Sequence, residues 1–124
     1  MEFKKKQTIY MQIADFICEQ IMTHKWPEGE KISSVRELAA SIEVNPNTVM
    51  RTYSHLQDSG IIHNKRGIGF FVSMGASQQI LNMQKDEFIN KDLPLLFRKM
   101  NLLGVDFKEL EELYNKSLIN SKEK

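Results

Sequence analysis

The side chains of this sequence that could do chemistry are mostly cationic or amide groups, and they gather in a few short stretches. Arg36 is followed by Asn45, Asn47, Thr48, Arg51 and Ser54, and then by Lys65-Arg66-Gly67-Ile68-Gly69. Arginine presents paired donors that match a phosphate or a guanine edge, and asparagine pairs a donor with an acceptor as an adenine edge requires. Glycine lets a backbone approach a partner closely. Covalent or metal chemistry finds no comparable grouping. His24, His55 and His63 lack metal-ligand spacing, and Cys18 has no Cys-x-x-Cys partner. Gly67-Ile68-Gly69 runs into a strand pattern, so it lacks the context of a phosphate-binding glycine loop. These observations predict a non-enzyme with no cofactor and no metal.

The elements that must position these groups can be read in turn. Residues 8–24 carry Ile9, Ile13, Phe16, Ile17 and Ile21, spaced as one apolar helical stripe, with Thr8 as N-cap. Trp26-Pro27-Glu28-Gly29 stops this helix, and Trp26 is expected as a lid on the core. Ser34 and Glu37 match a capping box for a second helix bearing Val35, Leu38, Ala39 and Ile42, which leaves Arg36 off the stripe. Asn45 predicts an N-cap and Pro46 the first position of a third helix, running to about residue 59 and closed by Gly60. Val49, Tyr53 and Leu56 face inward on it. Two helices joined by a turn of three or four residues, the second well capped, make a helix-turn-helix. Strands are expected over residues 61–64 and 70–72. They would place Lys65 and Arg66 on a glycine-containing hairpin tip, a wing whose cations could neutralise phosphates or enter a narrow minor groove.

Residues 76–124 differ in character. Leu81, Phe88, Leu95 and Leu102 recur every seven residues, with Ile89, Leu96 and Leu103 beside three of them, predicting a helical stripe. Pro94 must kink that helix, or else sit in the first turn of a fresh one capped by Asp92. Gly104 breaks the chain. Asp106 and Glu109 form a second capping-box-like start, and Phe107, Leu110, Leu113 and Leu118 line a last helix whose end, residues 121–124, should fray. This much apolar surface on a short tail predicts a dimer interface formed by Leu81, Phe88, Leu95, Leu96, Leu102, Leu103, Leu110 and Leu113.

Length and composition bound the reading. At 124 residues the chain has room for one domain of average size, or for a compact domain plus an accessory element. The expected organisation is a winged helix-turn-helix domain over residues 1–75 and a helical dimerisation region over 76–124, mainly α with a small β-hairpin. The formal net charge is only +1, with nine Lys/Arg against eight Asp/Glu in residues 1–74 and eight against eight thereafter. Nucleic-acid binding must therefore come from where charges lie rather than from total basicity. No apolar run approaches the ~20 residues that span a bilayer. Residues 1–6 are basic but have no apolar segment after them, so no secretory signal is read there. Cys18, inside an apolar pattern, is expected as a small buried hydrophobe. The expected location is cytoplasmic, without a membrane partner.

With these residues in place, the sequence resembles the GntR superfamily of bacterial regulators. It looks most like the YtrA-like subfamily, whose C-terminal region is very short. The resemblance rests on Ile9-Tyr10-Met11-Gln12-Ile13, Gly29-Glu30-Lys31-Ile32, Ser34-Val35-Arg36-Glu37-Leu38-Ala39, Val44-Asn45-Pro46-Asn47-Thr48-Val49, Arg51-Thr52-Tyr53 and Leu56. It continues through Gly60, Ile62, Gly67, Gly69, Phe71 and Val72, and agrees more loosely at Leu103-Gly104-Val105. It implies a winged-helix domain, a homodimer made by the C-terminal helices, and an inverted-repeat double-stranded DNA operator. Members of the family are often repressors of nearby transporter genes. Two departures stand out. A proline common before the second helix is Ser33 here. Many relatives also carry DNA-contacting arginines at the positions of Pro46 and Met50, so those contacts do not carry over.

The residues expected to meet DNA are Arg36, Asn45, Asn47, Thr48, Arg51, Ser54, Lys65, Arg66, Gly67 and Gly69. Asn47 is the expected adenine reader, Asn45 chiefly a cap, Thr48 a phosphate contact helped by the helix dipole, and Lys65 and Arg66 phosphate contacts. The rival reading is a winged helix used for protein–protein contact, although such modules usually lack an Asn-rich helix start and a basic wing. A small-molecule effector stays open, of unknown identity, with the tail–domain junction near Trp26 and Tyr53 as its expected place.

Overall fold

The computed structural model describes residues 7–122; the basic run at residues 1–6 and the last two residues of the fraying end lie outside them. The chain divides after Met83 into two compact units.

In the first unit, α1 (Ile9–Met22) buries Ile13, Ala14, Ile17 and Ile21. Ile9 and Phe16, expected on the same stripe, are instead exposed. Phe16 sits about 100° around the helix from Ile17, and Ile9 lies in the first turn beside an open cleft. Thr8 occupies the N-cap position, but its side chain makes no cap hydrogen bond. α2 (Val35–Ile42) starts with the complete capping box: Glu37 N–H donates to Ser34 Oγ at 3.1 Å, and Ser34 N–H donates to Glu37 Oε1 at 2.9 Å. It ends at Glu43 in the left-handed region, with Val44 N–H returning to Ala39 O. After this three-residue turn, α3 (Pro46–Asp58) begins on the Asn45 cap.

α3 packs against α1, α2 and the hairpin. Tyr53 carries the centre of that packing. Its ring is fully buried and edge-on to Phe70, and its hydroxyl donates to Ser33 O at 2.6 Å. Burial, and secondarily the nearby Glu37 carboxylate, pushes the phenol above its ordinary range, so it stays a neutral donor. Buried Thr52 ties α3 to α1 by donating to Tyr10 O at 2.9 Å.

β1 (Ile62–Lys65) pairs antiparallel with β2 (Gly69–Val72) in the register Ile62–Val72, His63–Phe71, Asn64–Phe70 and Lys65–Gly69. The other edge of β2 is also occupied. Gly29 N–H donates to Val72 O, Val72 N–H to Glu30 O, and Ile32 N–H to Phe70 O. This extended segment before α2 has too few apolar alternations to announce itself as a strand.

The first unit extends eight residues past the boundary expected at residue 75. α4 (Ala76–Glu87) buries Ala76 and Ile80 in the core, and Glu28 anchors its start. The Glu28 carboxylate accepts from Gly75 N–H through Oε1 and from Ser77 N–H through Oε2, each at 2.9 Å. Those two bonds, Gly75 first, hold its carboxyl below the usual range.

In the second unit, a π-helical turn (Phe88–Asp92) leads into α5 (Leu93–Leu103). Asp92 is helical and caps nothing, so Pro94 does not begin a freshly capped helix. The wider turn, with Leu93 N–H reaching back to Phe88 O, absorbs the donor that proline lacks. A π turn also interrupts the seven-residue phase, so of the recurring positions only the pairs Leu95–Leu102 and Leu96–Leu103 keep that spacing within one regular helix. Gly104 closes α5, and α6 (Phe107–Lys122) opens with Glu109 N–H donating to Asp106 Oδ1 at 2.9 Å.

Candidate nucleic-acid interface

The outward stripe of α3 is formed by Asn47, Met50, Arg51 and Ser54, all exposed, while Val49, Thr52, Tyr53 and Leu56 point into the core. The helix start is closed by its own cap. Asn45 Oδ1 accepts from Asn47 N–H at 2.7 Å, Asn45 O accepts from Thr48 and Val49 N–H, and Pro46 has no N–H. A partner of this helix must therefore be met by side chains, and Asn45 has only its amide NH2 left to offer.

Arg51 is positioned from below. Its guanidinium lies 4.0 Å from the centroid of the Tyr10 ring, which in turn meets His55 edge-on at 6.1 Å. Asn47, Thr48 and Arg51 share a cleft of about 360 Å³ with the first residues of α1. Arg36 projects from α2 into a second cleft of about 370 Å³, whose walls include Lys31, Met50, Ile68 and Gly69.

At the wing, Ile68 N–H donates to Lys65 O at 2.8 Å and closes the turn. Gly67 at φ 79° and Gly69 at φ 140° hold conformations that a side chain would strain, and a Cβ on Gly69 would come within 2.8 Å of Lys31 Cε. Lys65 Nζ lies 4.3 Å over the Phe71 ring, which also stacks on His63. Arg66 stands exposed at the tip. Arg36, the α3 stripe and the wing thus lie on one unit, the stripe between two clefts. Sequence reasoning assigned no DNA-facing role to Lys31, Met50 or Tyr10 here. Lys31 belongs to the unrecognised extended segment, Met50 carries no polar group, and the role of Tyr10 depends on a contact 41 residues away along the chain.

Residues 9–72 match the gntR family of bacterial regulatory proteins. The chain belongs to the GntR family. Among GntR relatives, it is 36% identical over 111 residues to the HTH-type transcriptional regulator YhcF of Bacillus subtilis, covering 90% of each chain. It is 36% identical over 104 residues to the HTH-type transcriptional repressor YtrA of the same organism, covering 84% of this chain and 79% of YtrA. The crystal structure of a GntR-family transcriptional regulator from Bacteroides thetaiotaomicron superposes with a TM-score of 0.84 at 45% identity, covering 91% of this chain and 99% of the other. These near-full-length matches place the GntR chain with the short, YtrA-type members. It is a DNA-binding transcription regulator with a winged helix-turn-helix followed by C-terminal helices.

The apolar residues assigned to the tail are distributed over both units of this GntR protein. Leu81 is exposed at the end of the first unit. Phe88, Leu95, Leu96, Leu102, Leu103 and Leu113 are exposed in the second, and Leu110 is half-buried there. Tyr53, suggested as an effector contact, is fully buried and has no surface to offer a ligand; Trp26 packs against the core. Cys18 is half-buried, and burial, with Asp15 contributing, pushes its thiol up to about 11, so it stays protonated at neutral pH. Among the described residues, no group of three or more His, Cys, Asp or Glu could hold a metal, and no helix is long and apolar enough to cross a membrane.

Proposed function

We propose that this GntR regulator is a homodimeric repressor that binds an inverted-repeat operator. The observation that carries the dimer is that the second unit buries none of its described residues, while Phe88, Leu95, Leu102, Leu103, Phe107 and Leu113 stand more than half exposed. Apolar helices that bury nothing of their own call for a partner, and a second copy supplies the same face with closed twofold symmetry. Two copies of the first unit then meet two half-sites related by that symmetry. Within each half-site, Asn47 pairs with an adenine edge, Arg36 and Arg51 meet phosphate or guanine, Thr48 and Ser54 donate to phosphate oxygens, and Arg66 and Lys65 neutralise backbone charge near the wing. Asn45 serves as the cap, and Gly67 and Gly69 shape the wing. The near-full-length similarity to the repressor YtrA supports repression as the outcome.

The test is operator selection from random double-stranded DNA with the full chain, paired with light scattering of the same sample. The expected result is an enriched inverted repeat and a dimeric mass at micromolar concentration. An enriched sequence without symmetry, or a monomeric mass, overturns the homodimer. The absence of any enriched sequence overturns the DNA reading and favours a protein-contact module.

A further inference from the structure

One member of the α3 reading stripe has no hydrogen-bonding group. Met50 lies between Asn47 and Arg51 on the outward face and is 47% exposed. It contributes nothing to the core, because Val49 and Tyr53 on either side of the helix fill that role. A lone exposed apolar residue is ordinary on a protein surface. This one is not alone. It lines the cleft between α2 and the wing together with Ile68, which is 58% exposed, and Arg36. An apolar spot thus sits in the middle of the polar face that the DNA reading presses into the major groove. The major-groove edges of the four bases offer donors and acceptors plus a single apolar feature, the 5-methyl group of thymine. A thioether on three rotatable bonds adapts to such a group without strain.

We propose that Met50 is a specificity-determining residue that reads a thymine 5-methyl group within each half-site. This inference rests on the DNA-binding reading above and adds what the stripe recognises at its apolar position. It predicts a thymine at one position of the half-site that is chosen for its methyl group and not for its pairing edge.

The experiment uses the full chain and its selected operator, with each thymine replaced by uracil in turn, at the symmetric positions of both half-sites. Uracil removes the methyl and keeps every hydrogen-bonding atom. One thymine is expected to lose about fourfold in affinity per half-site on this replacement. At that same position, 5-methylcytosine is expected to bind better than cytosine. The uracil penalty should vanish in Met50→Gln and persist in Met50→Leu, with circular dichroism confirming that both variants fold. If operator binding is retained but no thymine shows the penalty, or if Met50→Gln shows it as strongly as the unmodified protein, this inference is overturned while the DNA reading stands. If no operator is selected at all, the DNA reading fails first and this inference falls with it.

Discussion

The two units of this chain solve the same problem in opposite ways. In the first, α1, α2, α3, the hairpin and the start of α4 enclose a contiguous core from Ile13 to Ile80, with Ile17, Val49, Tyr53 and Val72 fully buried. In the second, regular and well-terminated helices leave every described residue at least partly open to solvent. Helical periodicity and capping are therefore sufficient to set secondary structure in both, but only the first unit converts apolar side chains into buried area. Stability of the first should depend on its own residues, whereas the apolar side chains of the second contribute burial only in the proposed homodimer.

The largest test of this contrast pairs a fully buried isoleucine with a fully presented leucine. Ile17→Ala should destabilise the first unit by ~2–5 kcal/mol, the usual cost of emptying a packed aliphatic site. Leu102, 83% exposed, should change the same transition by less than about 0.5 kcal/mol on replacement by alanine. Trp26, the sole tryptophan, packs against the first unit's core, so its fluorescence during denaturant unfolding follows that unit. Equal losses from the two variants would break the contrast.

A smaller effect tests the polar bond inside the first core. Tyr53→Phe keeps the ring packing but leaves Ser33 O without its donor, which should cost ~1–3 kcal/mol. A loss below a few tenths in the same unfolding measurement would mean that water replaces the phenol and that the core there is more open than the packing implies.

How much of this was legible in the sequence follows from the same physics. Local chemistry could be read directly. The Ser34–Glu37 capping box, the Asn45 cap with Pro46 behind it, and the inward Val49, Tyr53 and Leu56 all formed as their spacing required. The outward side of α3 was legible as well, because whatever is not on the buried stripe must face solvent. What escaped were features made by distant residues. Residues 29–32 became the partner of β2 only because the hairpin lies beside them. Arg51 finds Tyr10 only once α1 and α3 pack. Ile9 and Phe16 fit a helical stripe by spacing, yet no element covers them enough to bury them. The Pro94 region was read as a kink or a restart; a π turn carries the helix through with Asp92 inside it, so it is the restart that fails. The extent of the first unit was missed for a similar reason: the residues that cap and bury the start of α4 lie near Glu28 and in the core.

The smallest expected effect concerns that last contact, and its sign can be worked out. Glu28 accepts two backbone N–H groups at the start of α4, an arrangement that favours the ionised carboxylate both directly and through the helix dipole. Its folded-state pKa therefore lies below the ordinary glutamate value of about 4.3. Above that value the folded and unfolded chains both carry the charge, and the stabilisation is fully present. As pH falls through it, the unfolded chain takes up the proton first, so stability drains away and is lost once pH passes below the folded-state value. Glu28→Gln keeps one carbonyl oxygen but sets an amide NH2 against an N–H donor, and it removes the titration. The variant should be slightly less stable than the parent at neutral pH, and the gap should close as pH falls from about 5 through the folded-state value. Denaturant midpoints followed by Trp26 fluorescence across that range measure the gap. A gap that stays constant with pH would mean that the Glu28 charge contributes nothing to anchoring α4, and that Ala76 and Ile80 hold the first turn of that helix through burial alone.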